Sequence, residues 1–158
     1  MLKIKNAVSE NDIEIIRALF LEYARSLNFD LCFQNFSEEL KNLPGEYAPP
    51  NGYLLIAYWN ESPVGCVALR KIEKGVCEMK RLYVQKEFRG KNIGKVLVEE
   101  LIKEAVRIGY TKMRLDTVPS MLTAQKLYAS MGFYQIKPYR ENPVEGAIYM
   151  ELELNKHQ

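Results

Sequence analysis

Between residues 53 and 84 the chain carries three apolar runs, at 53–58, 64–71 and 76–84, separated only by the turn signals Asn60-Glu61-Ser62-Pro63 and Glu73-Lys74-Gly75. Turns this short cannot hold a parallel crossover, which takes about a dozen residues. The three runs must pair as an antiparallel meander, and the rest of the chain has to pack on it. Residues 2–8 add a short strand. Ser9-Glu10-Asn11-Asp12 reads as a capping box with a carboxylate at its far end. After it Ile13, Ile16, Phe20, Tyr23, Ala24 and Leu27 recur at helical spacing to about residue 28. Residues 37–43 form a second, short helix closed by Leu43-Pro44-Gly45. Downstream, Ile93, Leu97, Leu101, Ala105 and Ile108 share one helical face, with Gly109 as the stop. Residues 112–116 read as a strand, 119–131 as a helix with Pro119 in its first turn, and 133–136 as a strand. Residues 147–154 alternate, with Ile148, Met150, Leu152 and Leu154 on one face. The order β-α-α-β-β-β-α-β-α-β-β specifies an α/β class, a mixed sheet with helices on its faces. With 158 residues and neither repeat nor linker, a single domain over 1–158 is expected.

Charge narrows the function. Lys and Arg number 22 against 20 Asp and Glu, and a net charge of +2 argues against a general nucleic-acid or membrane-surface binder. Cys32, Cys66 and Cys77 lack C-x-x-C spacing and cannot pair completely, which predicts reduced thiols and neither a disulfide framework nor a zinc site. The lone histidine, His157, lies next to the C-terminus, so Ser-His-Asp, Cys-His and multi-His metal chemistry are discarded. No apolar run approaches the ~20 residues of a membrane span, and Lys3, Lys5 and Glu10 interrupt any apolar leader. A cytoplasmic protein is expected. The basic charge is concentrated: residues 78–95 hold Lys80, Arg81, Lys86, Arg89, Lys91 and Lys95 against Glu78 and Glu87, a window of +4 in a chain of +2. That concentration points to one anionic ligand.

Within this window a strand runs out into a loop containing Gly90 and becomes a helix near Gly94. Helix N-termini carry unpaired N–H donors and partial positive charge, and glycine lets a backbone approach oxygens closely, so the junction suits a phosphate. It is neither of the two common phosphate loops. Gly90-Lys91-Asn92-Ile93-Gly94-Lys95-Val96 is one spacer short of a P-loop and lacks its magnesium hydroxyl, and no G-x-G-x-x-G turn is present.

Arg89-Gly90-Lys91-Asn92-Ile93-Gly94 resembles the acyl-CoA-binding motif of the GNAT superfamily of N-acetyltransferases, Arg/Gln-x-x-Gly-x-Gly/Ala, with Asn92 in place of its first glycine. Asn is the non-glycine residue best able to adopt a left-handed backbone. Leu127-Tyr128-Ala129-Ser130-Met131-Gly132-Phe133 is similar to the family's L-Y-x-x-x-G-F signature. Ala124 falls where its small residue does, and Met121 where it commonly has Asn. The element order from residue 2 to 154 fits as well.

The resemblance implies a mostly antiparallel sheet splayed between strands 4 and 5, with helices on both faces. Pantetheine would lie in that wedge against the backbone of Leu82, Tyr83 and Val84, near Met121 and Tyr128. The pyrophosphate would sit on the loop formed by Arg89, Gly90, Lys91, Asn92, Ile93, Gly94 and Lys95. Lys86, Arg89 and Lys91 are the candidates for the 3′-phosphate. The implied activity moves an acetyl group from acetyl-CoA, with no metal, to a primary amine by direct attack. The alternative is a catalytically silent CoA-binding sensor or interaction module. Expected partners are a small-molecule or peptide amine acceptor and neither nucleic acid nor membrane, with a homodimer left open.

Acetyl transfer needs a free amine, a donor to the oxyanion and a proton for the departing thiolate. Glu78, placed where histone-type members carry their base, is either that base or a strand-end surface residue. Tyr128 is the general acid or a helix-packing aromatic, and the Leu82 N–H is the simplest oxyanion donor. Cys77 has no histidine to activate it and reads as a buried small hydrophobe. Phe29, Phe33 and Phe36, with Tyr47, read as core packing, or together with residues 139–143 as the acceptor pocket.

Overall fold

A computed structural model describes residues 1–27, 31 and 35–154. The strands are β1 (Leu2–Asn6), β2 (Tyr53–Trp59), β3 (Ser62–Glu73), β4 (Val76–Val84), β5 (Lys112–Thr117), β6 (Tyr134–Ile136) and β7 (Ile148–Glu153). The helices are α1 (Glu10–Ser26), α2 (Phe36–Lys41), α3 (Ile93–Ile108) and α4 (Leu122–Ser130), with single 3₁₀ turns at Gly45–Tyr47 and Lys86–Phe88. One sheet runs β1-β2-β3-β4-β5-β7-β6. Every neighbouring pair is antiparallel except β4 and β5. The expected element order is therefore observed. Cys32, Phe29, Phe33 and His157 lie outside the described residues.

The unbroken apolar character of β2 has a simple cause. Side chains alternate across a strand, and both faces of this one are covered. Leu54 and Ile56 join Ile16, Leu19 and Phe20 of α1 in one core. Leu55 and Ala57 join Leu97, Val98 and Leu101 of α3 in the other. Tyr47 belongs to the first core, edge-on to Phe20 with ring centroids 6.0 Å apart.

Among the boundaries that differ from the sequence reading, two have a clear local cause. The β2–β3 connection is a two-residue turn and not four, because Asn60 and Glu61 both take positive φ (47° and 74°), the geometry of a tight hairpin. Helix α4 starts at Leu122 and not at Pro119. The Met121 N–H bonds to the Val118 carbonyl, closing a β-turn around Pro119 and Ser120, and the Gln125 amide caps that same carbonyl at 2.7 Å.

The predicted capping box of α1 is present. The Asp12 N–H donates to Ser9 Oγ, while Asp12 Oδ2 accepts from the Val8 and Ser9 N–H groups and Oδ1 from Lys5 Nζ at 3.0 Å. Burial works to raise this carboxyl, but the Lys5 bond and the backbone donors outweigh it and bring it down to about 2. Asp12→Ala strands those donors, so a loss of about 1–3 kcal/mol is expected at neutral pH. A lowered carboxyl adds stability above its ordinary value of 3.8 and loses it as pH falls towards 2. Urea midpoints of variant and wild type should therefore converge across that window.

Candidate active site

Strands β4 and β5 pair only at Val76↔Lys112, Cys77↔Met113 and Glu78↔Arg114. Beyond Glu78, β4 stays with β3 while β5 follows β7 as far as Thr117↔Ile148. The sheet splays there, as expected between strands 4 and 5. The gap is lined by residues 79–82 of β4, by 115–118, and by Met121, Ala124 and Tyr128, which share one face of α4. Along residues 79–84 the edge of β4 facing the gap has no β5 partner for its backbone groups. Arg81 takes φ 62° where the β3–β4 register shifts opposite Val67, a bulge that re-aims the strand at the wedge. Leu82, Tyr83 and Val84 follow it, each half-buried.

From there the chain enters α3 through Gly90 (φ 85°) and Asn92 (φ 63°), so Asn92 adopts the left-handed backbone its position requires. The start of α3 contrasts with that of α1. Asn92 makes no side-chain cap and the first turn holds no acid, which leaves the N–H donors and the helix dipole free for an anion. At Gly94 an added Cβ would meet nothing nearer than Leu127 Cδ2 at 3.8 Å. Arg89 Nε donates to the Val84 carbonyl at 2.9 Å, tying the loop to β4, and Lys91 Nζ lies 5.0 Å over the Trp59 ring. Ile93 is buried, whereas Lys86 and Lys95 are exposed.

The basic window divides in two. Lys86, Arg89, Lys91 and Lys95 surround the loop, but Lys80 and Arg81 are buried in the sheet away from it. Arg81 forms a bidentate pair with Glu39 at 2.8 and 2.9 Å and lies over Phe36. Only four of the six basic side chains can serve an anion at α3.

Tyr128 is 7% exposed, packs its ring 5.7 Å from that of Phe133 and lines the gap. Its hydroxyl has no hydrogen-bond partner among the described residues, and burial, with Tyr23 and Asp116 nearby, pushes the phenol above its ordinary 10.0. Cys77 and Cys66 are fully buried, and burial likewise raises both thiols.

Glu78 is not a surface residue. It is 0% exposed and lies opposite Arg70, whose Nε donates to it at 2.9 Å; Tyr139 Oη donates at 2.5 Å and Arg140 Nη2 also bonds to it. Burial works to raise its carboxyl, but Lys80, Arg140 and Arg70 outweigh that and hold it below the usual carboxylate range. Two residues along the same face stands Lys80, 8% exposed. Burial and the like charges of Arg81 and Arg70 bring its ammonium down to about 8 against the pull of Glu78. A second cavity of about 650 Å³, bounded by α2, the 3₁₀ turn at Gly45–Tyr47 and residues 140–141, adjoins this cluster. Lys80 is the one described residue that lines both cavities. Among the described residues no group of side chains is arranged to hold a metal ion, and no helix is long and apolar enough to cross a membrane.

A mostly antiparallel sheet opened at a single parallel pair, with an uncapped helix N-terminus below the opening, is the architecture of acyl-CoA-dependent N-acyltransferases. The model of the acetyltransferase (GNAT) family matches residues 14–133, and the chain belongs to that family. It is 42% identical over 147 residues to an uncharacterised N-acetyltransferase of Schizosaccharomyces pombe, covering 92% of this chain and 90% of that one. The GNAT-family acetyltransferase of Staphylococcus aureus Mu50 superposes with a TM-score of 0.81 at 20% identity, over 98% of this chain and 99% of the other. The Salmonella typhimurium acetyltransferase yncA, solved with acetyl-CoA, superposes with a TM-score of 0.70 at 19% identity, over 99% and 95%.

Proposed function

We propose that the protein transfers an acetyl group from acetyl-CoA to a primary amine by direct attack, with both substrates bound at once. The observation that carries this reading is the unpaired edge of β4 ending at the uncapped start of α3. An extended pantetheine arm can hydrogen-bond to that edge as an added strand, and its pyrophosphate then reaches the N–H donors around residues 89–95. The amine nitrogen attacks the thioester carbon, the oxyanion is received by the Leu82 N–H beside the bulge, and collapse expels the thiolate. Tyr128 supplies the proton to the sulfur, and the nitrogen's surplus proton passes to water. Cys77 takes no part, since a buried thiol with a raised pKa is a poor nucleophile.

Glu78 enters this reading as a positioning residue. A general base works best with a pKa near the working pH, and Glu78 is held below the carboxylate range with no exposed surface. Its service is to fix Arg70 and Arg140. Glu78→Gln should therefore raise the acceptor KM more than it lowers kcat, with the pH profile of kcat/KM parallel to wild type. A deficit that shrinks as pH rises would instead return Glu78 to the role of base.

The reading as a whole is tested by thiol release from acetyl-CoA with a panel of amines, the products identified by mass. Amine-dependent release with intersecting initial-rate lines is expected. A burst of thiol and an acetylated protein in the absence of amine would sink direct attack, and tight acetyl-CoA binding with no turnover would favour a sensor.

A further inference from the structure

We infer that the acceptor is a small amine bearing a carboxylate, an amino acid, whose carboxylate is received by Arg140 and Lys80 on the floor of the second cavity. This inference rests on the reading of the protein as an N-acetyltransferase and adds its acceptor class.

The cavity is charged in layers. On its floor, next to the wedge, stand Lys80, Arg140 and Arg70. Their main counter-charge, Glu78, is fully buried behind them and does not line the cavity. Arg70 commits Nε to Glu78 and Nη1 to Glu46 at 2.6 Å. Arg140 commits Nη2 to Glu78 and rests 4.8 Å over the Tyr139 ring. Its Nη1 is buried without a hydrogen-bond acceptor among the described residues and forms a long ion pair with Asp116 at 3.7 Å. Buried donors are nearly always hydrogen-bonded, so a guanidinium nitrogen left without an acceptor, on a residue that lines the cavity, can take an anionic oxygen from a ligand.

The acids of the same cavity do not cancel this floor. Four acids line the cavity: Glu39 is bound to Arg81, and Glu38, Glu46 and Glu141 are exposed to water, which screens them. A polyamine would bring a second cation against Lys80 and Arg140. A zwitterionic amino acid brings a carboxylate to them and leaves its amine free to turn past Lys80 into the wedge. The same cations disfavour the protonated amine, which raises the fraction able to attack. The volume suits a metabolite-sized ligand.

The test compares acceptors that differ only by a carboxylate: glycine with methylamine, alanine with ethylamine, 4-aminobutyrate with propylamine, and spermidine besides. The carboxylated member of each pair should have the higher kcat/KM, by about tenfold or more. Arg140→Gln should raise the KM of the best amino acid about thirtyfold, leave the acetyl-CoA KM unchanged and cost the carboxylate-free amines far less. Arg140→Lys, which keeps the charge, should recover part of the loss. Equal or better turnover of the carboxylate-free amines or spermidine by the wild type overturns this inference while leaving N-acetylation standing. No turnover of any amine overturns the enzyme reading itself. An Arg140→Gln loss that falls equally on both members of a pair removes Arg140 as the carboxylate ligand.

Discussion

Gly94→Glu is expected to abolish acetyl-CoA binding while leaving the fold intact. The position is the second residue of α3, and a Cβ there meets only ordinary contacts, Leu127 Cδ2 at 3.8 Å and Val84 Cγ2 at 3.9 Å. Nothing in the packing opposes a side chain. A carboxylate in the first turn of a helix that has none should even stabilise α3 slightly, because it answers the helix dipole. The same carboxylate would occupy the place proposed for the pyrophosphate. One like charge at about 5 Å, with an effective dielectric near 20, costs roughly 3 kcal/mol for each phosphate charge it faces. That corresponds to a loss in affinity of at least about a hundredfold. Calorimetry should show binding lost in a protein whose melting temperature is unchanged or raised. Gly94→Ala separates charge from bulk: it should gain helix stability, by about 1 kcal/mol, with a far smaller change in affinity. Unchanged affinity in folded Gly94→Glu would remove the loop from the cofactor site.

The geometry of the loop proposed for the cofactor was legible in the sequence because its signals are local. Phosphate loops are read over six or seven consecutive residues, and Arg89 to Lys95 contain both the turn residues and the helix start. Asn92 stands where the family motif carries glycine, asparagine is the other residue that best tolerates a left-handed backbone, and it is found at φ 63°. The splay was expected from the family resemblance alone, and it is found: β4 keeps β3 as far as Val84 but meets β5 only from Val76 to Glu78.

The ion cluster proposed for the acceptor was not legible, for an equally specific reason. Counting back across the turn from the pair Glu73↔Val76 places Arg70 opposite Met79, with its side chain turned away from Glu78. The register instead shifts between Lys71 and Glu73, and this one-residue slip brings Arg70 opposite Glu78. A bulge of this kind has no reliable sequence mark. Glu78 was consequently read as base or surface carboxylate, and Lys80 as part of the basic window, whereas both belong to one buried ion cluster. Arg140 and Tyr139 complete it from the irregular segment between β6 and β7, some sixty residues away along the chain. Neither periodicity nor a motif marks such a contact.

Tyr128→Phe should lower kcat by about a hundredfold and change little else. The hydroxyl has no hydrogen-bond partner among the described residues and sits 7% exposed at the wedge. Its removal therefore breaks no internal bond, and burying one polar group fewer should leave stability equal or slightly higher. Ring packing against Phe133 is retained in the variant. What goes is the proposed donor to the departing sulfur. General acids contribute about 10²- to 10⁴-fold, and a thiol with a pKa of about 8–9 leaves well enough unaided to place this case at the low end. The pH dependence adds a second constraint. Because burial raises the phenol above its ordinary 10.0, Tyr128 keeps its proton across the whole working range. The ratio of wild-type to variant kcat should be flat from about pH 6.5 to 9.5, with chemistry shown to be rate-limiting. A ratio of one at every pH would leave Tyr128 a packing residue. A ratio that fell through pH 8 would follow a group ionising there, which describes Lys80 and not a buried phenol.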